Sequence, residues 1–329
     1  MIITRTPLRI SFCGGGTDLP SYYSVRQGAV VSSTINKYVY ITINPLSRYF
    51  DHRILLKYSQ TELVNSVDEI HHPIIREAMK ITGVLDRVEI TSMADIPAGT
   101  GLGSSSTYAV GLLHALHTYR GEYVSAAQLA TEACEIEIGR LGDPIGKQDQ
   151  YIAAYGGMCH IRFNADESVF VDPVICSYAT KKALQQNLLM FYTGITRRAG
   201  DILEVQKAST NQKMEVLTSM KELCGQLLEV LRDGRSLNRF GEILHEAWQH
   251  KRGLVNGITN EKINEYYDAG LKAGAIGGKL LGAGGGGFLL FYAEPQNHNR
   301  VREALGELPE LPFLFEPQGS KVIYVSDDV

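Results

Sequence analysis

The 329-residue chain has one tryptophan, and its five cysteines (Cys13, Cys134, Cys159, Cys176, Cys224) are widely spaced with no Cys-x-x-Cys pair. That pattern argues against a disulfide framework or a cysteine zinc site and predicts a reducing compartment. No apolar run approaches the length of about 18 residues that a membrane helix needs, so no membrane partner is expected. Met1-Ile-Ile-Thr-Arg lacks the layout of a signal peptide, which predicts a cytoplasmic protein. Blocks of basic residues are also missing, and the net charge is −4. Nucleic acid is therefore not an expected partner, and any phosphorylated ligand must be held by local donors rather than by a global positive field. There is no low-complexity tail and no clear internal repeat.

What is present is a globular composition, 44% apolar and 21% charged, with 33 glycines. The length allows one large or two ordinary domains with ample core. The glycines are concentrated in three stretches.

The first in importance is Pro97-Ala98-Gly99-Thr100-Gly101-Leu102-Gly103-Ser104-Ser105-Ser106-Thr107-Tyr108, which leads into the apolar run Ala109 to Leu116. Glycines permit positive φ and close approach to a ligand, and serines can cap a helix start. A helix N-terminus behind a glycine loop offers free N–H groups and a positive dipole end, which suits phosphate. No Gly-Lys-Ser/Thr closes the stretch, and its glycines lack Gly-x-Gly-x-x-Gly spacing, so it is neither a Walker loop nor a Rossmann fingerprint. The plain alternative is a helix N-cap after a flexible loop.

Upstream, residues 2–12 read as strand. They run into Cys13-Gly14-Gly15-Gly16-Thr17-Asp18-Leu19-Pro20, a tight loop whose single carboxylate can bind a ligand or cap its own turn. Residues 29–35 and 38–43 read as two strands joined by a turn at Asn36-Lys37. A helix is expected over 69–82, ending near Gly83, with His71 and His72 on its surface. Residues 88–92 read as a strand. His114 and His117 share a helix face, but without a nearby carboxylate they read as packing or surface rather than metal ligands. Ser125 and Gln128 fit a capping box for a helix to about Ile138.

Glu137 and Asp149 follow, twelve residues apart across Asp143-Pro144-Ile145-Gly146-Lys147-Gln148. Either could be structural, Glu137 on a solvated face and Asp149 as a helix cap. Residues 175–186 read as an irregular, polar boundary. Residues 187–192 read as a strand, and a helical stretch begins at Ile195-Thr196-Arg197-Arg198. Helices are expected over 211–232, from Ser236, and over 259–272. Trp248 reads as core and Lys251 as surface. The last glycine stretch runs from Gly274 to Gly287 and contains Gly282-x-Gly284-x-x-Gly287, but a strand rather than a helix follows it. A helix over 299–305 and strands near 311–315 and 322–326 close the chain.

Together the three stretches resemble the GHMP kinase family. Pro-x-Arg-x-Ser-Phe-x-Gly-Gly-Gly-Thr-Asp-x-Pro is similar to its first motif in sugar-1-kinases, Pro-x-x-x-Gly-Leu-Gly-Ser-Ser to its phosphate-binding motif, and Gly-x-Lys-Leu-x-Gly-Ala-Gly-x-Gly-Gly to its third. The resemblance covers nearly the whole chain. It implies an α/β fold (α+β, two domains), with a ribosomal-S5-like N-terminal domain over 1–180 and a ferredoxin-like C-terminal domain over 181–329.

The resemblance also implies ATP and Mg²⁺ as cofactors, with nucleotide held by Pro97, Gly99, Gly101, Leu102, Gly103, Ser104, Ser105 and Ser106. Ser105 and Glu137 become metal ligands, Asp149 the catalytic carboxylate and Arg9 its partner. Acceptor contacts fall on Asp18, Gly15, Gly16, Thr17, Arg197, Gly284 and Gly285. The implied reaction is phosphorylation of a sugar's anomeric hydroxyl. The Gly-Gly-Gly-Thr-Asp-Leu-Pro, Lys-Gln-Asp-Gln and Thr-Gly-x-Thr-Arg segments are most like members acting on heptose phosphates, so the expected partner is a small sugar phosphate. Arg197, Arg198, Lys251 and Lys147 are the candidates for holding the acceptor's own phosphate. A fucose- or other hexose-1-kinase and a non-catalytic sugar- and ATP-binding regulator stay open, as does a homodimer.

Overall fold

The computed structural model describes residues 1–195, 204 and 213–326. In chain order the elements are β1 (Ile2–Cys13), α1 (Pro20–Tyr23), β2 (Gly28–Pro45), β3 (Ile54–Lys57), β4 (Thr61–Val64), α2 (Pro73–Thr82), β5 (Val88–Ala94), α3 (Ser104–Tyr119) and α4 (Ala126–Cys134). A π-helical segment over Glu135–Arg140 follows. Then come α5 (Gln148–Tyr155), β6 (Met158–Phe163), β7 (Val169–Pro173), α6 (Tyr178–Gln186), β8 (Leu188–Tyr192), α7 (Met214–Asp233), α8 (Asn238–Arg252), α9 (Glu261–Lys272), β9 (Gly277–Leu280), β10 (Phe288–Tyr292), α10 (His298–Ala304) and β11 (Lys321–Val325).

Among the described residues the strands make two sheets. An eight-stranded sheet runs β11-β1-β2-β5-β3-β4, with β6 and β7 branching from β2, and a three-stranded antiparallel sheet runs β8-β10-β9. This is the α/β architecture expected from the sequence. One core packs the large sheet against α2–α5 and against α7 and α8; β1 contributes Leu8, Ile10 and Phe12, and the Phe12 ring lies 5.1 Å from that of Phe240 on α8. A second core surrounds the small sheet and joins Trp248, Tyr267 and Phe291. Trp248 is fully buried, as its apolar surroundings in α8 suggest.

Local chemistry explains most boundaries. Pro73 opens α2, and Gly83 closes it in the left-handed region at φ 69°. Ser125 caps α4, accepting from the Gln128 N–H at 3.2 Å as the capping box predicts. On α7 the buried positions Leu217, Met220, Leu223, Cys224, Leu227 and Leu231 recur at three- and four-residue intervals, making a single apolar stripe.

Several expectations need correction. Asn36 and Lys37 do not form a turn: β2 is one strand of 18 residues. It stays continuous by changing partner. Residues 28–33 pair with β6 and 39–45 with β5, while the β1 ladder slips between Pro7 and Arg9. A bulge of this kind bends a strand without ending it. Asn36 sits at the changeover, where its amide donates to Leu314 O at 2.9 Å and its Oδ1 accepts from Leu314 N at 2.6 Å. Residues 311–315 therefore form an extended segment touching β2 by a single bridge, Ile35 to Phe315, rather than a strand.

The stretch expected to be irregular holds α6, capped by Ser177 Oγ accepting from Thr180 N at 3.0 Å. Only Thr180 and Leu184 of α6 are buried, too few to register as a periodic pattern. His72 is not a surface residue. It is the N-cap of α2, and its ring lies 4.9 Å from that of Tyr58 and 5.2 Å from that of Tyr108. His117 does meet carboxylates, Glu122 at 2.9 Å and Glu132 at 2.7 Å, as a hydrogen-bonded group on α3. The helical stretch beginning at Ile195, with Arg197 and Arg198, lies almost wholly outside the described residues.

Candidate active site

The loop between β5 and α3 is shaped by its glycines. Gly103 is the N-cap of α3 at φ 77°, and no side chain caps the helix. The serines expected to cap are instead the first helical residues, which frees their hydroxyls for other partners. Ser105 Oγ donates to Glu137 Oε1 at 2.6 Å, and the buried Ser104 Oγ has no partner among the described residues. The first N–H groups of any helix lack intrahelical acceptors, so this terminus presents an anion-binding surface. Leu102 is wholly buried and anchors the loop to the core.

The third glycine stretch packs directly on this loop. A Cβ at Gly282 would lie 2.4 Å from Gly101 Cα, and one at Gly101 would lie 2.6 Å from Leu281 O. Real Cβ atoms do not come that close, so the two segments touch main chain to main chain. Gly284 and Gly285 turn the other way: Gly285 N donates to Ile258 O at 2.8 Å, and Gly284 packs against Ile258.

Arg9 leaves β1 beneath the loop and is 4% exposed. Its Nε donates to Asp149 Oδ1 at 2.7 Å and its Nη2 to Oδ2 at 2.6 Å. Its Nη1 donates to Gly101 O at 2.6 Å. The guanidinium thus fixes the Asp149 carboxylate bidentately and ties it to the glycine loop. Gly103 faces the same pair, where a Cβ would stand 3.2 Å from Asp149 Oδ2.

Glu137 comes from the π-helical segment after α4. The Leu141 N–H reaches back to Ile136 O at 2.9 Å, the wide-turn register of a π-helix. Glu137 is fully buried rather than on a solvated face. Gln150 Nε2 donates to its Oε2 at 2.7 Å. Burial pushes the carboxyl up to about 7, against the opposing donors Ser105, Ser106 and Gln150.

The Gly14–Pro20 loop closes the other side. Asp18 is 3% exposed, with Oδ1 accepting from Gly16 N at 2.9 Å and Oδ2 from Gln148 N at 3.3 Å. Burial raises its pKa and the neighbouring Asp149 charge adds to this, while the backbone donors lower it. Asp18 therefore caps its own turn and also joins the site. Thr17 is turned inward, its Oγ1 accepting from Ala29 N at 3.0 Å and donating to Gly14 O at 2.8 Å. Gly15 lies beside the Gln148 side-chain amide, whose Oε1 is buried without a partner among the described residues.

Thus the structure draws Arg9, Asp18, Gly101, Gly103, Ser104, Ser105, Glu137, Asp149 and Gly282 into one site, while Arg197 lies outside the described residues. Sequence reasoning missed Gln148 and Gln150, although they flank Asp149 in the same short motif. It also read Lys251 as surface first, while keeping it among the candidates for a phosphate. Lys251 is buried, and its Nζ donates to Gly282 O. Lys147 instead pairs with Glu167 and lies 4.9 Å over the Tyr23 ring.

With this geometry established, comparison with known proteins gives a consistent result. Residues 65–157 match the GHMP kinases N-terminal domain and residues 219–310 the GHMP kinases C-terminal domain. The chain belongs to the GHMP kinase family. It is 28% identical over 321 residues to D-glycero-alpha-D-manno-heptose 7-phosphate kinase of Campylobacter jejuni, covering 92% of this chain and 93% of the relative. It is 28% identical over 347 residues to L-fucokinase/L-fucose-1-P guanylyltransferase of Bacteroides fragilis, covering 92% of this chain but 36% of that longer protein. A crystal structure of a D-glycero-D-manno-heptose 1-phosphate kinase from Bacteroides thetaiotaomicron superimposes with a TM-score of 0.81 at 26% identity, covering 99% of this chain and all of that one. Among the described residues no helix is long and apolar enough to cross a membrane.

Proposed function

We propose that this protein is an ATP-dependent sugar kinase that phosphorylates the anomeric C1 hydroxyl of D-glycero-D-manno-heptose 7-phosphate, giving the 1,7-bisphosphate. The bidentate Arg9–Asp149 pair beside the glycine loop carries the reading. Phosphoryl transfer depends mainly on positioning, charge neutralisation and a carboxylate that receives the hydroxyl proton. Asp149 receives the C1 proton as that oxygen attacks the γ-phosphorus of ATP and ADP leaves. Arg9 occupies one lone-pair direction on each Asp149 oxygen, and a carboxylate has others to offer. Asp18 and Gln148 Oε1 would accept from sugar hydroxyls.

The residues present also fit Mg²⁺. Among the described residues no three His, Cys, Asp or Glu side chains converge to hold a metal alone. Mg²⁺ does not need such a cage, since it combines one or two protein oxygens with phosphate and water. Ser105 Oγ and Glu137 Oε1, already 2.6 Å apart, are the two oxygens that would hold it. Bound there, the ion would neutralise phosphate charge. Ser104 Oγ, buried and unpartnered, suits a phosphate oxygen. Such a product belongs to a supply of activated heptose for surface polysaccharide.

The similarity to the fucokinase gives a second reading, a fucose- or other hexose-1-kinase. The test is to offer heptose 7-phosphate, mannose 6-phosphate and free fucose with ATP and Mg²⁺. Preferred turnover of heptose 7-phosphate is expected. Turnover of free fucose alone would move the assignment to the second reading, and binding of sugar and ATP without turnover would make the protein a regulator.

A further inference from the structure

Lys251 is a buried cation with no carboxylate partner among the described residues. It sits in the last turn of α8, is 7% exposed, and spends one N–H on Gly282 O. Gly282 packs on Gly101, and Gly101 O accepts from Arg9 Nη1. The ammonium of Lys251 and the guanidinium of Arg9 are therefore each tied to one of the two glycine loops where those loops meet. The charged groups within its electrostatic reach are Lys279 on β9, Arg9 on β1, Asp18 in the first loop and Asp149 on α5. Lys279 is buried too, its Nζ donating to Phe12 O at 2.8 Å.

The local charge balance points one way. Arg9, Lys251 and Lys279 converge, yet Asp149 is already engaged by Arg9, and Asp18 accepts from backbone amides. Among the described residues neither lysine forms an ion pair. An ammonium kept from water needs an anion, or it surrenders its proton. Burial, with Lys279 and Arg9 adding repulsion, lowers the Lys251 ammonium to about 7.

We propose that Lys251 is a substrate-contacting residue that binds phosphoryl oxygens at the crossing of the two glycine loops. This rests on the kinase reading above and deepens it by naming a residue for the anion. Two sources offer the same chemistry: the γ-phosphoryl group of the nucleotide and the phosphate already carried by the acceptor. An anion beside Lys251 would offset the surplus charge, and the ammonium would still have two N–H groups to donate.

The experiment compares wild type, Lys251→Met and Lys251→Arg in steady-state kinetics with D-glycero-D-manno-heptose 7-phosphate and with the unphosphorylated heptose. If the lysine contacts the γ-phosphoryl group, Lys251→Met lowers kcat about a hundredfold on both acceptors with little change in KM. If it contacts the acceptor's phosphate, KM rises about tenfold or more for heptose 7-phosphate and stays unchanged for the unphosphorylated sugar. Either result supports the proposal, and in either case Lys251→Arg recovers part of the loss, which a packing role would not allow for the bulkier side chain. Values within threefold of wild type for Lys251→Met on both acceptors would overturn it. Circular dichroism and melting temperature check folding, and Lys251→Gln stands in if methionine disturbs the helix.

Wild type that turns over neither sugar defeats the heptose reading alone. The lysine assignment is then decided by equilibrium binding of the β,γ-imido analogue of ATP and of inorganic phosphate. A loss of about tenfold or more for either probe in Lys251→Met supports it, and equal binding of both by the two proteins overturns it.

Discussion

Arg9 and Asp149, 140 positions apart in the chain, are joined by two side-chain hydrogen bonds of 2.7 and 2.6 Å, and the same guanidinium grips the carbonyl of Gly101. One side chain thus fixes both the carboxylate proposed to take the proton and the loop proposed to carry the nucleotide. Asp149→Asn keeps the shape but not the proton acceptor. It is expected to bind an ATP analogue as wild type does while kcat falls about a thousandfold. Stopped-time assays with titration calorimetry check this, and turnover near that of wild type removes Asp149 from its role. Arg9→Lys keeps the charge but loses the fork, and is expected to cost about tenfold or more in kcat.

Asp18 is proposed to meet the acceptor. Asp18→Asn leaves the loop's shape largely in place but alters what it can accept from a sugar. The expectation is a KM for the acceptor raised about tenfold or more, with ATP-analogue affinity unchanged. Equal loss of nucleotide affinity would show that Asp18 supports the loop as a whole.

Glu137 supplies a pH dependence whose sign can be worked out. Its carboxyl is raised from 4.5 to about 7, so between those values the folded state holds the proton more tightly than the unfolded chain. Stability from this group therefore falls as pH rises from about 4.5 to 7 and is level above. Glu137→Gln removes the dependence. The variant is expected to melt a few degrees higher than wild type at pH 8, at about 2 °C per kcal/mol, while its Mg²⁺-dependent turnover collapses. Differential scanning calorimetry at pH 5 and pH 8 checks the crossing. In the wild type, proton and metal compete for one carboxylate, so the Mg²⁺ concentration needed for half-maximal activity is expected to rise as pH falls below about 7.

The loop contact can be tested by adding a single methyl group. Gly282→Ala places a Cβ 2.4 Å from Gly101 Cα at a position with φ 72°. Strain and overlap together are expected to cost about 2–3 kcal/mol of stability and to raise the KM for ATP. Gly121→Ala is the control. It has the same φ of 72° but meets nothing within 4 Å, so about 1 kcal/mol of backbone strain and no kinetic effect are expected.

The three glycine stretches were legible because their chemistry is local: a positive φ or a close approach demands glycine whatever surrounds it. The pairing of Arg9 with Asp149 came from motif resemblance, since spacing alone cannot bring residues so far apart together. Other features were hidden for physical reasons. The π-helical turn that aims Glu137 differs from an α-helix by one backbone register, to which side-chain periodicity is blind. Lys251 has the same neighbours in sequence whether buried or exposed, and only the packing of α8 against the third glycine stretch decides. Continuity of β2 through Asn36 and Lys37 depends on a change of partner strands, a long-range event that overrides the turn propensity of those two residues. His72 joins a ring stack whose other members come from β3–β4 and α3.

The main-chain contact between Gly101 and Gly282 has a practical corollary. In the proposed function the share of donor recognition made by these two loops would be written mainly in peptide groups, whereas acceptor recognition would be written in exchangeable side chains such as Asp18 and Gln148. A redesign toward another sugar can therefore rewrite the second vocabulary while leaving the first untouched.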